Sequence, residues 1–251
     1  MKKYKIFPYC IESLTNLHVG SGSDNFGIVD KEVQRDQVDY VPIIHASSLK
    51  GAIREYFENC IYTLKDPIVI KYFGSDKNDQ NNLSQGELRF FEACLFAIPV
   101  RGIGGVSDYL GTSEKLLISY NKKATSLDSV ITNINLPTGS NTNAQTEYGN
   151  VSHFVQLTSV GDNVAYFPTD KMESVLKNLP IIARNSLENG QSENLWYEEV
   201  VPRGSKFYFF IAVPDSCTDY ISAFESKLIE DVVQIGANAT IGYGYCKISK
   251  M

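Results

Sequence analysis

Cysteine, histidine and tryptophan are scarce in this chain, and long apolar runs are missing. The five cysteines (Cys10, Cys60, Cys94, Cys217, Cys246) are odd in number, scattered and without C-x-x-C spacing. That excludes a zinc ribbon and a disulfide framework, and leaves reduced core cysteines of a cytoplasmic protein as the expectation. No stretch approaches the ~18–20 apolar residues of a membrane-spanning helix, and Pro8 and Glu12 interrupt MKKYKIFPYCIESL too early for a secretory signal. No membrane partner is therefore expected. A G-x-G-x-x-G spacing is absent, which removes a dinucleotide site, and so is the string typical of the RNA recognition motif. No Ser/His/Asp or Cys/His constellation stands out, nor a second carboxylate at metal-site spacing. Excess positive charge is lacking too: 23 Lys and Arg against 29 Asp and Glu give a net charge of −6. Nucleic-acid binders are usually basic, so the total counts against that class. Charges beyond about 8 Å are screened at physiological salt, however, so local placement of Lys and Arg matters more.

What remains is an ordinary globular composition, 43% hydrophobic and 21% charged over 251 residues, expected as a single domain over 1–251. Its most informative stretch runs from His18 to Arg54. A Gly/Ser/Asn loop at 20–25 leads to Gly27-Ile28-Val29 and Asp30, a carboxylate that is either an ordinary turn residue or an acid at the rim of a phosphodiester site. Ser47 and Ser48 then open a helix predicted over Ser48 to about Leu64, whose free N–H groups and dipole favour an anion. Lys50 and Arg54 share a face of that helix, with Glu58 placed to pair with Arg54. Leu49, Ile53, Tyr56, Phe57, Cys60 and Ile61 form its apolar stripe. At the other end of the chain, Gly242 and Gly244 flank Tyr243. Glycine there either lets backbone amides face a phosphate or lets a strand enter close-packed neighbours.

Between these ends, Lys3–Leu14 reads as a first strand, Glu87–Val100 as a strand pair, and Lys206–Val213 as a strand covered on both faces. Met172–Leu179 and Asp215–Val233 read as helices, the second ending before Gly236. Short β-prone pieces at Val130–Ile134 and Val151–Thr158 flank an Asn/Thr/Ser-rich tract, and Trp196 is expected to pack. The order of strands and helices is that of an α+β, ferredoxin-like domain with insertions.

Four blocks in order, HVGSGS…GIVDKEVQRD…SSLKGAIREYF, QGELRFFEACLFAIPVRG, ENLWYEEVVP and IGANATIGYGYCKI, resemble the RAMP superfamily of CRISPR RNA-binding proteins. The resemblance is nearest to the repeated backbone subunit of type III-B (Cmr) effector complexes. It implies an RNA-recognition-motif-like fold, with residues 120–165 as an inserted thumb-like hairpin or loop. It also implies polymerisation of the chain along a guide CRISPR RNA, beside other subunits of the complex, and cleavage of complementary target RNA with a divalent metal, magnesium by its chemistry. Asp30 matches the aspartate assigned to cleavage, and His18, ahead of the Gly/Ser/Asn loop in the same block, is the second candidate catalytic residue. Ser47, Ser48, Lys50, Arg54, Gly236, Asn238, Gly242 and Gly244 match the RNA-binding positions. Two alternatives stay open: a non-catalytic RNA-binding scaffold, and the equivalent subunit of a type III-A complex.

Overall fold

The computed structural model describes residues 3–22, 29–62, 66–75, 83–102, 109–131, 133–135, 145–146, 149–151, 153–157 and 162–251. Strand β1 (Tyr4–Ser13) leads through an irregular crossing to β2 (Ile43–Ile44) and helix α1 (Ala46–Tyr56), which widens into a π turn at Phe57–Ile61. Helix α2 (Pro67–Phe73) precedes β3 (Arg89–Phe90), β4 (Ala93–Val100), β5 (Tyr109–Ser113) and α3 (Glu114–Leu127). The short β6 (Gln145–Thr146) and β7 (Gly149–Asn150) are followed by β8 (His153–Leu157), β9 (Asp162–Phe167) and α4 (Thr169–Lys177). Strands β10 (Ile181–Glu188), β11 (Gln191–Glu199) and β12 (Lys206–Pro214) come next. A 3-10 stretch (Asp215–Tyr220), α5 (Ile221–Glu230), β13 (Val232–Gln234) and β14 (Tyr245–Lys250) complete the chain.

The main sheet runs β13-β14-β1-β12-β4-β5-β9-β8, with β2 and β3 pairing at its side. Its central strands β14-β1-β12-β4 are all antiparallel neighbours. Helix α1 lies between β1 and β4 in the chain, and α5 between β12 and β14. Each connection skips one strand, which fits the ferredoxin-like plan expected from the sequence. Beyond β4 the sheet extends through β5 and the parallel pair β5–β9.

Strand β12 is buried along its whole length. Phe207, Phe209 and Ile211 join the cluster that contains Leu49 and Ile53 of α1 and Phe224 and Leu228 of α5. Tyr208 and Phe210 alternate with them and meet Leu117, Tyr120 and Ala124 of α3. A sheet covered on both faces is why KFYFFIAV is apolar without alternation. Phe224 stacks on Phe57 with ring centroids 5.0 Å apart, the centre of an aromatic group under α1 and α5.

Several predicted boundaries move. Helix α1 begins at Ala46, because Ile43 and Ile44 are held by β4 and the chain turns at His45. Its regular part stops at Tyr56, and the π turn that follows leaves Cys60 exposed, against the expectation of a core cysteine. Residues 215–233 form a 3-10 turn, a helix and a strand, since Val232 and Val233 pair with β14. Helix α4 runs Thr169–Lys177, starting after Pro168. No strand forms within the described part of Val130–Ile134. Within 120–165 the described residues hold the end of α3, the small β6–β7 ribbon and β8, which pairs with β9 on the edge of the main sheet. A second two-stranded ribbon, β10–β11, pairs apart from the main sheet. Most of its described length is exposed until the buried Glu198 and Glu199.

A candidate nucleic-acid interface at the base of the hairpin

The predicted site residues that meet do so around the last three residues of β11. The chain at Asp30–Val33 runs beside Tyr197–Glu199: the Asp30 and Lys31 N–H groups both donate to the Tyr197 carbonyl, at 3.1 and 3.2 Å, and Glu199 N–H donates to Lys31 O at 2.9 Å. The Asp30 carboxylate is tied to the same place, its Oδ2 accepting the Tyr197 N–H at 2.7 Å. Asp30 is half-buried, so its position is set by a strand end while part of its surface stays open. Residues 23–28, which carry the end of the Gly/Ser/Asn loop and Gly27-Ile28, lie outside the described residues.

His18 is buried at 3% exposure, with Nδ1 2.7 Å from the Glu199 carbonyl oxygen. A carbonyl only accepts, so Nδ1 carries the proton and the ring acts as a clamp on β11. The Glu199 carboxylate accepts the Val33 N–H at 3.1 Å and pairs with Arg35 at 2.5 Å. Arg35 also donates to the Leu176 carbonyl at 2.9 Å, tying the crossing to α4.

Glu198, also buried, is shared more widely. Its Oε1 accepts the Trp196 indole N–H at 3.0 Å and faces Lys31 Nζ at 3.4 Å. Its Oε2 pairs with the Arg184 guanidinium and accepts from Asn238 Nδ2 at 3.0 Å. Burial raises the Glu198 pKa, but the indole hydrogen bond, Arg184 and His18 outweigh it and hold the carboxyl below its ordinary value. The Arg184 guanidinium lies 4.7 Å from the centroid of the Tyr243 ring, so the hairpin base and the Gly-rich loop are in contact.

The glycines of that loop divide into two kinds. A Cβ on Gly244 would sit 2.0 Å from the Ile235 carbonyl oxygen, and one on Gly236 2.4 Å from that of His18, both at positive φ. Both glycines are needed for close packing, which for Gly244 is one of the two readings that the sequence left open. Gly242 also has positive φ, yet a Cβ there meets nothing within 4 Å among the described residues. Its open surface suits a backbone approached by a ligand. Asn238, left-handed at φ 67°, turns the chain between them.

The α1 residues form a neighbouring patch. Gln34 joins the two, since its N–H donates to Val19 O at 2.8 Å, its carbonyl accepts from Ile43 at 3.0 Å and its Oε1 accepts the His45 N–H at 3.0 Å. His45 is the cap residue of α1 and makes no side-chain cap, so Ser47 and Ser48 lie inside the first turn rather than capping it. Arg54 pairs with Glu58 at 2.8 Å, as the i,i+4 spacing predicts. Burial first, then the Arg54 and Arg89 guanidinium groups, lower the Lys50 pKa. A phosphate beside these cations would relieve that repulsion. Arg89, which the sequence reading passed over, is held by the Gly86 carbonyl.

Among the described residues no group of three or more His, Cys, Asp or Glu side chains is arranged to hold a metal ion. The carboxylates nearest Asp30 along β11, Glu198 and Glu199, are both engaged by cations.

The sequence profile of the RAMP superfamily matches residues 10–247 of this chain. The CRISPR system Cmr endoribonuclease Cmr4 of Pyrococcus furiosus is 25% identical, over 99% of this chain and 96% of its own length. The CRISPR system CMR subunit Cmr4 of Saccharolobus solfataricus is 44% identical over 39% of this chain and 30% of its length. Among solved structures, a chain of the type III-B Cmr-beta complex bound to cognate target RNA superposes with a TM-score of 0.79 at 22% identity, covering 98% of this chain and 97% of that one. Oligomeric Cmr4 from Pyrococcus furiosus superposes at 0.68 and 21% identity, with 98% of both chains covered.

Proposed function

The chain belongs to the RAMP superfamily, and from that membership we propose that it is the repeated backbone subunit of a type III-B CRISPR effector complex. It binds the guide RNA, assembles with copies of itself and other subunits, and cleaves complementary target RNA. The names of its relatives, an endoribonuclease and a chain of a Cmr-beta complex with target RNA, support this reading. The observation that carries the cleavage part is the fixing of Asp30 against Tyr197 N–H, one residue before Glu198, to which the Gly-rich loop is tied through Asn238.

In RNA cleavage the 2′-hydroxyl attacks the adjacent phosphorus and the 5′-oxygen leaves. The Asp30 carboxylate orients that hydroxyl, which needs a fixed acceptor rather than a strong base. Lys31, half-exposed next to it, offers positive charge to the phosphate. The open Gly242 backbone and the cations around Lys50 hold the guide backbone, with the N-terminal N–H groups of α1 at Ser47 and Ser48 facing phosphate. Asp30 would give a magnesium ion one hard oxygen ligand, and the ion would supply positive charge to polarise the scissile phosphate. His18, buried on Glu199, contributes by holding the strand end.

Asp30→Asn tests the reading. It keeps the side-chain size and removes the charge, so the assembled complex should bind target RNA as before while single-turnover cleavage falls by roughly a hundredfold or more. Cleavage at the wild-type rate with target bound would leave a scaffold without this nuclease site.

A further inference from the structure

We propose that Glu198 is a positioning residue that locks the Asp30 segment, the hairpin base and the Gly-rich loop into one geometry, so that target cleavage depends on it although it touches no RNA. The inference rests on the reading of Asp30 as the cleavage residue. Its basis is the set of partners on one buried carboxylate: Lys31 from the crossing, Trp196 and Arg184 from the two hairpin strands, and Asn238 from the Gly-rich loop. Lys31, Arg184 and Asn238 come from segments far apart in sequence, and Glu198 has a partner from each.

Stability alone does not account for such a group. A buried ion pair is often replaced by apolar side chains without loss, because desolvation offsets the Coulomb attraction. What a four-partner carboxylate supplies is registry. Lys31 follows Asp30 directly, and Glu198 follows Tyr197, whose N–H holds the Asp30 carboxylate. Lys31 and Glu198 also face each other across a parallel bridge. Without the Glu198 charge, Asp30 keeps its bond to Tyr197, but the Lys31 side of the segment and the Asn238 turn lose their common anchor. An attacking hydroxyl is sensitive to displacements of about 1 Å, so the chemical step suffers before binding does.

The experiment uses the complex assembled with guide RNA and compares single-turnover cleavage at saturating target with target affinity. Glu198→Gln should lower the rate about 10–100-fold, the range usual when a partner behind an active group is removed, with target affinity unchanged. Glu198→Gln leaves the Arg184 guanidinium unpaired, so the paired variant Arg184→Gln/Glu198→Gln is measured beside it and should show the same loss. Glu193→Gln, exposed on the same strand, should behave as wild type. Hydrogen exchange provides a readout separate from activity: amides of 29–33 and 236–244 should exchange faster in both Glu198 variants, while those of β1 and β12 stay protected. Wild-type cleavage by a folded variant overturns the inference, as does parallel loss of binding and rate. Failure of both variants to fold makes Glu198 a stability residue and overturns it too. Asp30→Asn in the same assay separates the two readings: if it cleaves normally, the Asp30 assignment fails whatever Glu198 does.

Discussion

Lys50 and Arg54 look equivalent on a helical wheel, both basic and four residues apart, but the structure makes them different. Arg54 is already neutralised by Glu58, whereas Lys50 sits half-buried with its charge disfavoured by Arg54 and Arg89. The Arg54–Glu58 pair is partly buried, so a phosphate that engages Arg54 competes with a partner already in place. Lys50 gains more from one. Lys50→Ala should therefore lower the slope of log affinity for guide RNA against log salt by about 0.7, one single-stranded phosphate contact. Arg54→Ala should lower it by less, since Glu58 partly cancels the wild-type charge. Titrations over a salt series check both, and an unchanged slope for Lys50→Ala would remove it from the interface.

At the scale of elements, the hairpin β10–β11 is the feature that the sequence signalled most directly and that the reading missed. Its turn is Asn189-Gly190, with φ of 50° and 82°, the residue pair that two-residue hairpin turns favour. Helix α2 was equally marked, by Asp66 capping Ile68 N–H and Pro67 at the first helical position. On one face of the hairpin Ile181, Leu195 and Tyr197 stay exposed, at 50%, 54% and 38%. Ala183 lies between them, paired with Tyr197. Among the described residues this apolar face is left largely uncovered, which suits contact with RNA bases or a neighbouring copy. Leu195→Asp should change the stability of the isolated chain by no more than about 0.5 kcal/mol, as exposed substitutions do, yet weaken RNA-dependent assembly. Thermal melting and sizing with RNA test the pair of outcomes. A destabilised monomer would mean that the face packs on the chain itself.

For the whole molecule, repeated use of one subunit along an RNA requires a heterologous contact, in which two different surfaces of the same chain meet. Such contacts do not close on themselves unless the rotation brings the last copy back to the first. Guide RNA should therefore drive an open series of oligomers whose length follows the RNA, measured by native mass spectrometry or sizing. A closed dimer of fixed size would contradict that arrangement. The net charge of −6 makes assembly without RNA less favourable, through repulsion between like-charged copies.

Patterns written in neighbouring residues were legible from the sequence: the apolar run of β12, the stripe of α1 from Leu49 to Tyr56, the Arg54–Glu58 pair and the blocks that carry the superfamily resemblance. Each depends on periodicity or spacing within one element. Tertiary structure alone decided how the site is held. In sequence Glu198 and Glu199 are two adjacent acids of the ENLWYEEVVP block, and His18 is a lone histidine ahead of the Gly/Ser/Asn loop. Their roles come from His18, Lys31, Arg35, Arg184 and Asn238, brought to one strand end by folding. The two glycines beside Tyr243 make the same point, alike in sequence and opposite in surroundings. A local pattern specifies which backbone a segment adopts, but a buried carboxylate acquires its meaning from cations that arrive from distant parts of the chain.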